Sequence, residues 1–108
     1  MSESLVVLTT VESVEDGECL ANLLVERELA ACVQILPPMK SVYRWEGKIE
    51  HSREVLLLIK TTSVVYNALE EAIRQNHPYQ TPEIVALQIA VGSKKYLDWV
   101  ANSVKPAV

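Results

Sequence analysis

Phenylalanine is absent from this 108-residue chain, and cysteine and histidine each occur only twice. Two cysteines are too few for a disulfide framework or a four-cysteine zinc site, and two histidines exclude a three-histidine zinc centre within one chain. The longest apolar run, Val55 to Ile59, falls far short of the roughly 20 residues that cross a bilayer. With a net charge of −4, the chain also lacks the basic footprint of a nucleic-acid-binding protein.

What remains is the composition of a folded domain, with 49% hydrophobic and 22% charged residues. The length suits one domain over residues 1–108. The first residues, Met1 to Ser4, carry an acid where a signal peptide is basic, so we expect a cytoplasmic protein with reduced thiols. A glycine-rich phosphate loop and the GxSxG and HExxH motifs are missing, which favours a binding protein over an enzyme.

Hydrophobic periodicity divides the chain into seven elements. Strands are predicted where β-branched and apolar residues run together, and helices where apolar residues recur every three or four positions. The paired prolines at 37–38 predict an edge or a bulge in the second strand, because proline cannot donate to a sheet ladder. In order, the predicted elements are a strand at Leu5–Val11, a helix from Ser13 to about Glu28, strands at Cys32–Trp45 and Ile49–Thr61, a helix from Thr62 or Ser63 to His77, a strand at Glu83–Val91 and a helix at Ser93–Ser103.

The predicted order β-α-β-β-α-β-α indicates an α+β protein. Its first six elements match the split βαβ, or ferredoxin-like, unit with an antiparallel sheet. Helices cover only one face of such a sheet, yet the first, third and fourth predicted strands are apolar on both faces. An uncovered apolar face marks an interaction surface, so we expect self-association.

His77 is the strongest candidate for metal binding. It lies between the end of a predicted helix and a loop bounded by Pro78 and Pro82, and Glu83 follows at a strand start. A rigid loop that displays an imidazole and a carboxylate suits borderline divalent ions. The alternative is that His77 caps the helix C-terminus.

Cys32 is the second candidate donor, because a thiolate suits copper or zinc. The alternative is a small core residue, which is the common role of free cysteine. We expect Cys19, beside Leu20 and Leu23 in the first helix, to be a plain core or helix-surface residue, and His51, in a predicted hairpin, to be exposed.

A third set of candidates consists of polar-tipped aromatics with one lysine: Tyr43, Trp45, Tyr79, Trp99 and Lys60. These side chains either fill a subunit interface, or wall a pocket around Lys60 and Glu83 that binds an anion or another small ligand.

Five segments in order resemble the CutA family of divalent-cation tolerance proteins. The resemblance runs from about residue 5 to residue 104, and the five strings together are far more specific than any one alone. They are Leu29-Ala30-Ala31-Cys32-Val33, the run from Ser41 to Ile49, the run from Glu54 to Thr62, the run from His77 to Ile84, and Tyr96-Leu97-Asp98-Trp99.

This resemblance implies a ferredoxin-like subunit in a tight homotrimer that binds divalent copper, with a distant likeness to the PII signalling proteins. It implies metal ligation by Cys32, His77 and Glu83 around an intersubunit cavity. It also places Tyr43, Trp45, Lys60 and Tyr79 there. Two positions depart from the family pattern: Thr9 and Asn76 stand where some members have a cysteine and a second histidine.

Three functions therefore remain open. The chain is a cytoplasmic copper-binding trimer for heavy-metal tolerance, a PII-like signalling trimer that binds a small anion between subunits, or a structural trimer whose cavity is a by-product of packing. His77 and Cys32 favour the first, Lys60 and the aromatics the second, and the missing donors the third. In each case we expect unusual heat resistance, because assembly adds buried area.

Overall fold

A computed structural model describes residues 3–106 and has the predicted element order, with an additional break in the second strand. No helix in that range is long and apolar enough to span a membrane. The elements are β1 Ser4–Val11, α1 Val14–Glu26, β2 Cys32–Ile35, β3 Met39–Trp45, β4 Lys48–Thr62, a 3₁₀ turn Ser63–Val65, α2 Tyr66–Gln75, β5 Val85–Gln88 and α3 Lys94–Ser103.

All strands belong to one antiparallel arrangement with the order β2-β4-β1-β5, and β3 pairs with the outer part of β4. The fold is therefore the predicted α+β, ferredoxin-like one. The fifteen-residue β4 is its main strand. Residues 48–54 of β4 form a hairpin with β3, and residues 55–62 pair with β1.

Strict alternation gives the sheet two different faces. The helix face carries Val7, Thr9, Leu57 and Ile59, all fully buried; Val7, Leu57 and Ile59 belong to the core cluster that also includes leucines of α1 and α2. The open face carries the intervening residues of the same strands. In register across it lie Val6 with Lys60 and Leu87, Leu8 with Leu58 and Val85, and Thr10 with Leu56.

The open face is only partly covered. Lys60 Nζ lies 5.8 Å from the ring centroid of Tyr96, which places α3 over the Lys60 end of this face. Val85 and Leu87 remain 47% and 57% exposed. The predicted apolar second face is thus present, and α3 covers part of it.

Three local predictions meet different outcomes. Pro37 and Pro38 do interrupt the second strand, leaving β2 and β3 on the edge of β4, as predicted. The second helix, predicted to start at Thr62 or Ser63, begins there as a 3₁₀ turn without a side-chain cap, and Ser63 Oγ accepts the N–H of Glu3 at 2.9 Å. The last strand is shorter than predicted, because β5 is an exposed strand at the edge of the sheet, next to β1.

Candidate functional site

A groove of about 900 Å³ lies between the β3–β4 hairpin and the loop that joins α2 to β5. Three aromatic rings contribute to its lining, two from the hairpin strand β3 and one from the loop. Carboxylates enter from the end of β1, from β4 and from the loop. The residues concerned are Tyr43, Trp45, Tyr79, Glu12, Glu54 and Glu83.

The groove is acidic. Its lining includes three acidic residues, Glu12, Glu54 and Glu83, and one basic residue, Arg53, so the formal charge of the lining is −2. A concave surface of one sign focuses the field and raises the local concentration of oppositely charged ligands. The excess of acidic residues therefore favours a cation over an anion at this groove.

Tyr79 connects the loop to β4. Its phenol donates to Glu54 Oε2 at 3.2 Å. Burial, followed by the negative charge and hydrogen bond of Glu54, raises the pKa of Tyr79 to about 12, with a smaller contribution from Glu12. The phenol is therefore protonated throughout the physiological range. Its stabilising effect is lost only as pH rises from about 10 through about 12, because the unfolded chain releases this proton first.

His77 lies immediately behind Tyr79, outside the groove lining. Its Nε2 is 2.6 Å from the carbonyl oxygen of Thr10, and its Nδ1 is 3.2 Å from the backbone nitrogen of Tyr79. The two rings are 4.6 Å apart at 58°. His77 does bond a backbone carbonyl, as the helix-cap alternative requires. That carbonyl belongs to Thr10 of β1, however, and not to the end of α2.

Lys60 and Cys32 lie far from this groove within the chain. Cys32 of β2, Lys60 of β4 and Val6 of β1 lie in one row across the sheet. Val6 precedes Thr10, at the groove end of β1, by four residues, which is roughly 13 Å along the strand. Lys60 Nζ donates to Gln34 Oε1 at 3.0 Å. The structure thus brings Tyr43, Trp45, Tyr79 and Glu83 together and leaves Lys60 and Cys32 at the other end of the sheet.

The remaining candidates have structural surroundings. Across residues 3–106, no group of three histidine, cysteine, aspartate or glutamate side chains is placed to hold a metal. Thr9 is fully buried on the helix face, and exposed Asn76 donates to the carbonyl of Ala72. Trp99 stacks near Tyr96 on α3, while His51 is exposed, as predicted.

Three charged residues of the groove, Glu12, Glu54 and Arg53, were missed from the sequence. The sequence does indicate where the two acids lie, because each flanks a buried strand segment. Glu12 follows Val11, and Glu54 precedes Val55. Because Val11 and Val55 are paired in register, the two acids that flank them lie at the same end of the β1–β4 pair. Their convergence with loop residues depends on the course of the loop, which the local pattern does not specify.

Comparison with known proteins gives a consistent result. The family model of the CutA1 divalent ion tolerance protein matches residues 5–103. The divalent-cation tolerance protein CutA of Thermus thermophilus is 50% identical over 98 residues, which cover 91% of this chain and 95% of that protein. A chloroplastic CutA protein of Arabidopsis thaliana is 48% identical over 94% of this chain, which spans only 56% of that longer relative.

Solved structures agree with the sequence comparison. The divalent cation tolerance protein of Thermus thermophilus superposes with a TM-score of 0.92 at 48% identity, covering 97% of this chain and all of that one. The shared fold, the matched span and the degree of identity together assign the chain to one protein family. The chain belongs to the CutA1 divalent ion tolerance protein family.

Proposed function

We propose that this protein is a cytoplasmic homotrimer that binds divalent copper in the acidic groove. Membership of the family supports a role in divalent-cation tolerance. The observation that carries the proposal is the acidic lining of the groove, whose formal charge of −2 favours a cation over the small anion of a PII-like signalling protein. Because the acidic residues of one chain are not placed to hold a metal by themselves within residues 3–106, the proposed site needs a further donor.

Copper fits the groove best when a second protomer contributes. Glu83 supplies an oxygen donor, but carboxylates alone suit harder ions such as magnesium and manganese. Cys32 is half-buried on the open face and supplies the missing soft donor if that face meets a neighbouring protomer. Among first-row divalent ions, copper binds such a mixed site most tightly.

The trimer is supported by the unpaired open face. Leu8, Leu58 and Val85 lie in one row across three strands there, flanked by Val6 and Leu87. A contiguous apolar face of this kind is typical of an obligate interface. The cytoplasmic location is supported by the two free thiols of Cys19 and Cys32.

One observation favours a second candidate function. Lys60 is half-buried, and its partners, the Gln34 amide and the Tyr96 ring, are both neutral. Within residues 3–106 this ammonium forms no ion pair with a carboxylate. A small anion would therefore bind at Lys60 on the open face, about 20 Å along β4 from Glu54.

Calorimetric titration with copper(II) and, separately, with inorganic phosphate distinguishes the two functions. We expect copper to bind the parent protein and Glu83→Gln to weaken that binding at least tenfold, or about 1.4 kcal/mol. His51→Ala, which removes an exposed histidine outside the groove, is the matched control and should leave the affinity unchanged. Copper binding that is equal in all three proteins would mean an adventitious site. Phosphate binding that disappears in Lys60→Ala would favour the anion function.

A further inference from the structure

The loop that carries Tyr79 into the groove is attached to the sheet through one side chain. His77 contacts β1 with one ring nitrogen and the backbone of its own loop with the other. The Thr10 carbonyl can only accept a hydrogen bond, so Nε2 must carry the proton. The Tyr79 N–H can only donate, so Nδ1 must accept, and the ring is the neutral Nε2–H tautomer.

This arrangement uses every donor and acceptor that the imidazole has. The 2.6 Å contact to Thr10 fixes the ring against the end of β1, where residues on both faces are buried. A metal bound at Nδ1 would displace the Tyr79 N–H, and a metal bound at Nε2 would displace the proton given to Thr10. Either change would leave a backbone group without its hydrogen-bond partner, which is unfavourable.

The Nδ1 contact has the form of an Asx turn, in which a side chain accepts the backbone N–H two residues further along. It sets the direction of the chain at Pro78 and thereby the position of Tyr79. The Tyr79 phenol then reaches Glu54 on β4. A continuous chain of contacts thus runs from Thr10 through His77 and Tyr79 to a groove carboxylate.

We propose that His77 is a positioning residue, which holds Tyr79 and Glu54 in the groove and is not itself a metal ligand. The inference rests on the proposed cation-binding groove and assigns to His77 a different part in it. His77 acts on the bound cation through the groove wall. Its loss therefore weakens binding by loosening the loop, without removing a donor atom.

Three variants of one residue separate the two roles. His77→Ala removes both contacts. His77→Asn keeps the turn, because its Oδ1 can accept the Tyr79 N–H, but it lacks the imidazole that copper prefers. His77→Gln reaches towards the Thr10 carbonyl and does not form the turn. His51→Ala remains the control for an exposed histidine.

Hydrogen exchange of the Tyr79 amide, measured by NMR without metal, tests the positioning directly. We expect protection in the parent and in His77→Asn, and at least tenfold faster exchange in His77→Ala and His77→Gln. Equal exchange in the parent and His77→Ala would overturn the inference whether or not copper binds. A parent protein that binds no copper would instead overturn the proposed function, and the amide result would still stand.

Copper binding then distinguishes positioning from ligation. We expect His77→Asn to bind copper(II) within about threefold of the parent, and His77→Ala at least tenfold more weakly. The electron paramagnetic resonance spectrum of the copper complex should be the same in the parent and His77→Asn. Loss of imidazole nitrogen coupling in His77→Asn, with an affinity as low as that of His77→Ala, would make His77 a ligand and overturn the inference.

Discussion

Two threonines on the helix face show how one hydroxyl can stabilise a core and another can weaken it. Thr61 Oγ1 donates to the carbonyl of Leu29 at 2.8 Å. Thr9, four register positions away and equally buried, has no partner for its Oγ1 among the described residues. A buried hydroxyl without a hydrogen bond costs free energy, because it has lost water and gained nothing.

Replacing these threonines by valine should therefore have opposite effects. Thr9→Val is expected to raise the free energy of unfolding by about 1 kcal/mol, since it removes an unpaired polar atom at nearly constant shape. Thr61→Val, the matched control, should lower it by about 1–2 kcal/mol through loss of the bond to Leu29. Urea denaturation of both variants measures the difference. A destabilised Thr9→Val would show that its hydroxyl has a partner in solution.

The surroundings of Thr9 also bear on the family pattern. A cysteine at this position would lie in the apolar core beside Leu57, on the face of the sheet opposite to Cys32. It would not reach the groove without local opening of the core. The presence of threonine here therefore leaves the proposed groove site unaffected.

Among the elements, the β3–β4 hairpin has the tightest local requirement. Its two turn residues, Glu46 and Gly47, have φ angles of 51° and 78°, which are left-handed conformations. Two consecutive positive φ values define the type I′ turn that matches strand twist, and asparagine followed by glycine is its preferred sequence. Glu46 is thus the residue that the turn accommodates least well.

Substitution in this turn should act through the backbone alone. Gly47→Ala is expected to cost about 1–2 kcal/mol, because nothing lies within 4 Å of the added carbon and only the positive φ opposes it. Glu46→Asn should stabilise the hairpin by about 0.5 kcal/mol. Thermal unfolding of both variants checks the pair. If Gly47→Ala unfolds like the parent, the turn has relaxed to another type.

The sequence predicted elements well where burial dominates and poorly where it does not. The core strand β4 and the helix α2 lie where they were predicted, because a single periodicity accounts for the burial of each. The length of the edge strand β5 was overestimated, because its large apolar residues lie on the open face of the sheet and not in the core. In the site, Tyr43, Trp45, Tyr79 and Glu83 line one groove. The distance between Lys60 and that groove depends on strand register, which composition does not encode.

For the whole molecule, we expect a charge on one face of β4 to affect assembly and a charge on the other face to affect folding. Leu58→Asp, on the open face, is expected to convert the proposed trimer to a folded monomer, because a charge there opposes association. Leu57→Asp, in the core, should instead unfold the protomer, because the charge is buried without a partner. Light scattering and circular dichroism distinguish the outcomes. A trimeric Leu58→Asp would place the interface elsewhere.

The expected heat resistance can be tested with the same Leu58→Asp variant. Association stabilises the folded state by mass action, so the melting temperature of the parent should rise with protein concentration when unfolding is reversible. Leu58→Asp should lose that dependence and melt in the range of ordinary single domains, about 45–65 °C. A parent protein with a concentration-independent melting temperature in that range would contradict the trimer.

The unbroken length of β4 limits how this chain can change in evolution. One strand places Glu54 in the groove, Leu57 in the core and Lys60 on the open face. Inserting or deleting a single residue would move every side chain beyond it to the opposite face. Residues 48–62 are therefore expected to vary by substitution, whereas the break around Pro37 and Pro38 lies outside this strand and can change length without shifting the faces of its side chains.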